Sequence, residues 1–81
     1  MAKSQHAQRY RQLPEKLRGM REGAGLTQRE LAKKLRTSQP WVHKSEIGER
    51  RVDVTEFLDW CLACSVDPEK AFREIRTLAG R

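Results

Sequence analysis

The chain has 81 residues, 37% of them hydrophobic and 35% charged, and only five aromatic side chains, which leaves room for one small domain with a modest core and excludes two. Its net charge of +6 is uneven: residues 1–51 hold 13 Lys/Arg against 5 Asp/Glu, a balance of +8, and residues 52–81 hold 4 against 6, a balance of −2. A basic part beside a mildly acidic one fits a polyanion such as nucleic acid, and fits a membrane surface poorly, because no basic stretch carries a continuous apolar face.

Residues 1–12 are polar and basic, with Lys3, Arg9 and Arg11. They read as an N-terminal arm or as extra turns of the first helix. Pro14 is best tolerated in a first helical turn, so a firm helix is expected from about Leu13, with Leu17 and Met20 on one face. Gly23-Ala24-Gly25 ends it. Thr27 with Glu30 forms a capping box, and a second helix follows from Gln28 to Leu35. Arg36-Thr37 is a tight connection. Ser38 caps a third helix over about 39–46, with Pro40 in its first turn and Gly48 as its stop. Asp53 and Glu56 form a second box, opening a fourth helix expected to bury Phe57, Leu58, Cys61 and Leu62. Asp67-Pro68 starts a fifth, with Phe72, Ile75 and Leu78 or Ala79 at helical spacing. No segment reads as a strand. The predicted fold is all-α, a compact five-helix bundle occupying residues 13–79.

No apolar run approaches the roughly 20 residues of a membrane span. The stretch Met1 to His6 lacks the apolar core of a signal peptide. A cytoplasmic protein with reduced thiols is the expectation. Cys61 and Cys64 lack the second cysteine pair that a zinc site needs, so they read as core thiols. No metal or cofactor is expected. No cluster of acids, histidines and nucleophiles converges as an enzyme would require.

The informative stretch is Gly25 to Arg51. Two amphipathic segments separated by about three residues must cross steeply, as in a helix-turn-helix. Ala32 is small where the two approach, and Val42 points back to the core. Gln39, Trp41, His43 and Lys44 are left on the outward side or edges of the third helix. Gln39 sits in a first turn, where its amide can pair twice with adenine. Lys44 can reach guanine or phosphate.

The pattern Gly-Leu-Thr-Gln-x-Glu-Leu-Ala-x-x-Leu over 25–35, followed by Ser-Gln-x-x-Val-x-Lys-x-Glu-x-Gly-Glu-Arg over 38–50, resembles the phage repressor and Cro family of helix-turn-helix domains, the XRE family. The resemblance implies a lambda repressor-like DNA-binding domain, and a transcriptional regulator, a repressor, acting as a homodimer on a palindromic operator. It implies base contacts from Gln39, Pro40 and Lys44; His43, outward on the same helix, is counted with them. It implies phosphate binding by Gln28 and backbone contacts from Thr27, Ile47, Arg50 and Arg51; Arg36 and Trp41 are counted with the phosphate contacts, and His43 either touches phosphate or faces solvent. Arg21 and Glu46 match a pair joining the first helix to the end of the recognition helix. Some positions depart from the family pattern. Pro40 offers a base only apolar contact, Ser45 replaces a large apolar residue, Ile47 a frequent asparagine and Arg36 a frequent glycine. Trp41 either packs on the second helix or lies along the DNA backbone. Trp60 belongs either to the core or to a dimer contact within residues 54–81. Arg29, Lys33 and Lys34 read as a solvated face. The competing reading is a protein-binding module, such as the antitoxin of a toxin–antitoxin pair, whose partner would be the toxin.

Overall fold

The computed structural model describes the backbone of residues 2–79 and the side chains of residues 12–77. Five helices follow one another: α1 (Ala2–Gly23), α2 (Gln28–Leu35), α3 (Gln39–Glu46), α4 (Val54–Ala63) and α5 (Pro68–Ala79). No strand occurs among the described residues. No helix among them is long and apolar enough to cross a membrane. α1 packs against α3 and α5, α2 against α3 and α4, and α4 against α5.

The first helix begins well before Leu13. Pro14 is internal to α1, so the firm start near Leu13 was misplaced, and the backbone over 2–12 takes the alternative of extra turns of the first helix. A proline inside a helix forfeits the bond to the carbonyl four residues back. The residues before it, Ala2 to Leu13, contain no glycine or second proline that would stop a helix. The expected side-chain character of an arm over 1–11 lies outside the described residues.

One device ends four of the helices. A residue with left-handed backbone follows α1, α2, α3 and α4: Gly25 (φ 74°), Arg36 (φ 58°), Gly48 (φ 82°) and Ser65 (φ 59°). The amide after each one closes back on the helix it leaves. Leu26 N–H donates to the Arg21 carbonyl (3.2 Å), Thr37 to Ala32 (2.9 Å), Glu49 to Lys44 (2.9 Å) and Val66 to Cys61 (2.8 Å). These are the long bonds of Schellman motifs, which satisfy carbonyls that a helix end leaves unpaired. Glycine takes this conformation freely at two of the four sites, whereas Arg36 and Ser65 adopt it against their Cβ atoms.

The core is built from Leu17 and Met20 of α1, Leu31 and Ala32 of α2, Val42 of α3, Trp60, Cys61 and Cys64 at α4, and Ala71 of α5. Trp60 is fully buried, and its indole N–H donates to the Leu17 carbonyl at 3.0 Å. It is therefore core and supplies no dimer contact. The buried side of α4 is rotated from the expected one: Trp60 and Cys61 point in, while Leu58 and Leu62 are 43% and 60% exposed. On α5, Ala71 is buried and Phe72 is 59% exposed. The two cysteines are free thiols. Burial pushes the Cys61 thiol up to about 11 and raises that of Cys64, so both stay protonated and act as packing groups.

Candidate nucleic-acid interface

The start of α3 projects because the turn before it is closed tightly. Arg36 in left-handed conformation reverses the chain, and Ser38 then accepts from the Trp41 N–H at 3.3 Å to open α3. Pro40 falls in the first turn, where its missing N–H forfeits no helical hydrogen bond. Ala32 and Val42 are buried between the two helices. Pro40, His43, Lys44 and Ile47 face outward.

Beneath that surface runs a chain of polar side chains. Arg21 Nε and Nη2 donate to Glu46 Oε2 (2.6 Å) and Oε1 (3.0 Å), and Nη1 donates to the Leu26 carbonyl (2.8 Å). The side chains of Arg21 and Glu46 are only 11% and 2% exposed. The hydrogen bond to Glu46 raises the Arg21 pKa further, so the guanidinium stays charged. A carboxylate at the end of α3 opposes the helix dipole. Arg21 offsets this from α1, and Gln28 Nε2 from α2, at 3.0 Å. Gln28 Nε2 also lies 3.5 Å from His43 Nδ1, and Gln28 Oε1 accepts from Gln39 Nε2 at 2.7 Å. The expected ion-pair residues and two expected contact residues are thus joined in series: Arg21, Glu46, Gln28, Gln39.

A second cluster supports the segment after α3. The Arg50 guanidinium lies 4.0 Å from the Trp41 ring centre, and Trp41 is stacked on Trp60 with centroids 6.1 Å apart. Arg50 Nη2 donates to Glu56 Oε2 at 2.6 Å, and Nη1 to Ser45 Oγ at 3.4 Å. Ser45, fully buried, donates to the Trp41 carbonyl at 2.8 Å. Glu56 also completes the capping box, with Oε1 accepting from the Asp53 N–H at 3.0 Å. Arg50 holds the Glu56 carboxyl below its ordinary range. The Trp41 ring is engaged in packing, and the Arg50 guanidinium lies on it.

A helix-turn-helix domain model matches residues 12–72. The structure is similar to that of an XRE-family like protein from Pseudomonas syringae pv. tomato str. DC3000, with a TM-score of 0.87 and 39% identity over 95% of this chain and 94% of that one. The chain belongs to the XRE family of helix-turn-helix domains. Its fold is that of a DNA-binding regulator. No curated protein matches it.

In an XRE domain the charge arrangement of this chain has a simple sense. Glu46, the one acid within α3, is buried and paired. The outward residues Arg29, Arg36, Lys44 and Arg51 are cationic and exposed. The outward side of α3 therefore presents positive charge while its own acid is buried, although Glu30 and Glu49 beside it remain exposed. Thr27 is exposed at the start of α2, where its hydroxyl accepts from the Glu30 N–H at 3.0 Å. The first amides of α2, at Gln28 and Arg29, have no acceptor within the helix. Sequence reasoning missed two functions. One is the Gln28–Gln39 bond, for which the only signal is a pair of amides flanking a tight turn. The other is Glu56 as the partner of Arg50, hidden because its capping role explained it already.

Proposed function

We propose that the domain binds double-stranded DNA sequence-specifically as a homodimer and represses transcription by occupying a palindromic operator. The start of α3 enters the major groove, and Gln39 reads a base there. The observation that carries this is the 2.7 Å bond from Gln39 Nε2 to Gln28 Oε1. It uses one amide hydrogen and leaves Gln39 with one N–H and one C=O, the pair that adenine needs at its N7 and N6. Gln28 is itself held by Glu46, so the reading amide is oriented before DNA arrives, and less freedom is lost on binding.

His43 and Lys44 are the further polar contacts, and Pro40 offers an apolar face to a thymine methyl. His43 Nδ1 lies beside Gln28 Nε2, so its Nε2–H is the donor toward DNA. Thr27, Gln28, Arg36 and Arg51 contact phosphate, with Gln28 contributing its backbone amide at the start of α2. Trp41 and Arg50 act as support for the 47–53 segment rather than as phosphate ligands.

Selection of bound duplexes from a random pool at physiological salt tests this. The expected result is one enriched palindrome with half-sites about one helical turn apart. Binding with no enrichment of any sequence overturns it. Arg51→Ala should weaken all duplexes alike and lower the salt slope by about one.

A further inference from the structure

Ile47 closes α3 and is 50% exposed. No other large hydrophobic side chain of α2 or α3 is so exposed. Single exposed apolar residues are ordinary on a protein surface, so the direction of this one decides whether it matters. Seven residues separate it from Pro40, or about 700° of helical turn, which brings the two within about 20° of one another. Lys44 lies between them on the same side. The opposite side of the helix holds Val42, Ser45 and Glu46, all buried. Pro40, Lys44 and Ile47 thus form a row pointing away from the core, apolar at both ends and cationic in the middle.

The row has the dimensions of a groove contact. The eight residues of α3 span about 12 Å, close to the width of the B-DNA major groove. Pro40 and Ile47 are about 10 Å apart along the axis. At about 3.4 Å of rise per base pair, with sideways travel along the groove, that distance covers roughly two to three base pairs. The side chain narrows what Ile47 can touch there. The family resemblance puts this position at the DNA backbone, yet isoleucine has no donor for a phosphate. An aliphatic group against a phosphate displaces water from an anion and returns no hydrogen bond. Against a thymine C5-methyl it buries apolar area on both partners. Branching at Cβ leaves it few rotamers to lose on contact.

We propose that Ile47 is a further specificity-determining residue, reading a thymine methyl roughly two to three base pairs from the pair met by Pro40. This rests on the reading that α3 enters the major groove, and it extends the readout from the first turn of that helix to the last.

Uracil lacks the C5-methyl of thymine and keeps its hydrogen-bonding edge, so the test is a deoxyuridine scan. Each thymine of the selected duplex is replaced in turn, and affinities of the wild type and Ile47→Ala are measured by fluorescence anisotropy, with circular dichroism confirming helix content. The wild type should lose about three- to fivefold at the thymine beneath Ile47, the effect of one buried methyl. Ile47→Ala should bind the parent duplex more weakly by a similar factor. It should be indifferent to uracil at that position and keep its sensitivity at the Pro40 thymine. An Ile47→Ala protein that still shows the wild-type uracil loss at every position overturns the proposal, because the contact is then with the backbone. So does wild-type affinity of Ile47→Ala for every duplex, or a selected half-site with no thymine on either strand at that distance. The functional reading has its own readout. An enriched duplex whose discrimination depends on Gln39, with no uracil effect that depends on Ile47, removes this contact alone. No enrichment of any duplex removes the functional reading, and this contact with it.

Discussion

Arg21 makes three bonds with one guanidinium, two to Glu46 and one to the Leu26 carbonyl. It thereby ties the end of α1 to the loop before α2 and to the end of α3. Removing one member of a buried pair leaves the other charged and unpaired, which costs more than the roughly 0–1 kcal/mol of a surface pair. Gln28 would remain on Glu46, so the loss falls at the low end of the buried-pair range. Arg21→Ala should reduce unfolding free energy by about 3 kcal/mol in urea titrations; a loss under about 1 kcal/mol would contradict the buried geometry. The residue types and their spacing made Arg21 and Glu46 visible as a pair before any coordinates. They did not reveal that Gln28 and Gln39 continue the chain. An amide has no charge or periodicity to betray its partner, and its partner depends on how steeply two helices cross.

At the scale of elements, the four Schellman turns differ only in the residue that bears the left-handed backbone. An L-residue there costs about 1–2 kcal/mol, while glycine adds back about 0.5–1 kcal/mol of chain entropy. Arg36→Gly and Ser65→Gly should therefore each stabilise the domain, by about 0.5–1 kcal/mol, readable as a raised thermal midpoint. Destabilisation by either would mean that the side chain makes a contact worth more than the strain. Helix starts were legible because capping boxes are local: Thr27 with Glu30 and Asp53 with Glu56 need nothing beyond their own turn. The rotation of α4 was not. Phe57, Leu58, Cys61 and Leu62 fit a helical stripe as well as Phe57, Trp60, Cys61 and Cys64 do. The choice was made by α1, whose Leu17 carbonyl accepts the Trp60 indole N–H. Pro14 misled for a similar reason, since its cost as an interior residue is met by packing: it is buried, and its ring lies near Gly48.

For the whole molecule, titration sets a stability window. The Glu56 amide holds Asp53 below its ordinary carboxylate range, Arg50 does so for Glu56, and Lys16 for Glu74. Carboxyls lowered on folding contribute stability that is complete above their ordinary pKa values of about 4. That contribution is lost as pH falls through the lowered folded values. Cys61 is displaced the other way, from 9.0 to about 11. Its contribution is complete below about 9 and is lost as pH rises through about 11. Urea midpoints should be flat between about pH 5 and 9 and fall on both sides, with Glu56→Gln softening the acid limb. A midpoint unchanged from pH 7 to 3 would contradict the ion-pair assignments. The charge asymmetry between the two parts of the chain was plain in the sequence, and it anticipated a polyanion-facing side. Which apolar residues were left uncovered on the other side could be known only after α4 and α5 were placed. The proposed function depends on Gln39 reading a base while held by Gln28. Its direct test is the affinity of wild type, Gln39→Ala and Gln28→Ala for the selected duplex and for one altered at a single base pair. Wild type should discriminate by about 10- to 100-fold, Gln39→Ala should lose that ratio, and Gln28→Ala should blunt it. Undiminished discrimination by Gln39→Ala would contradict the account.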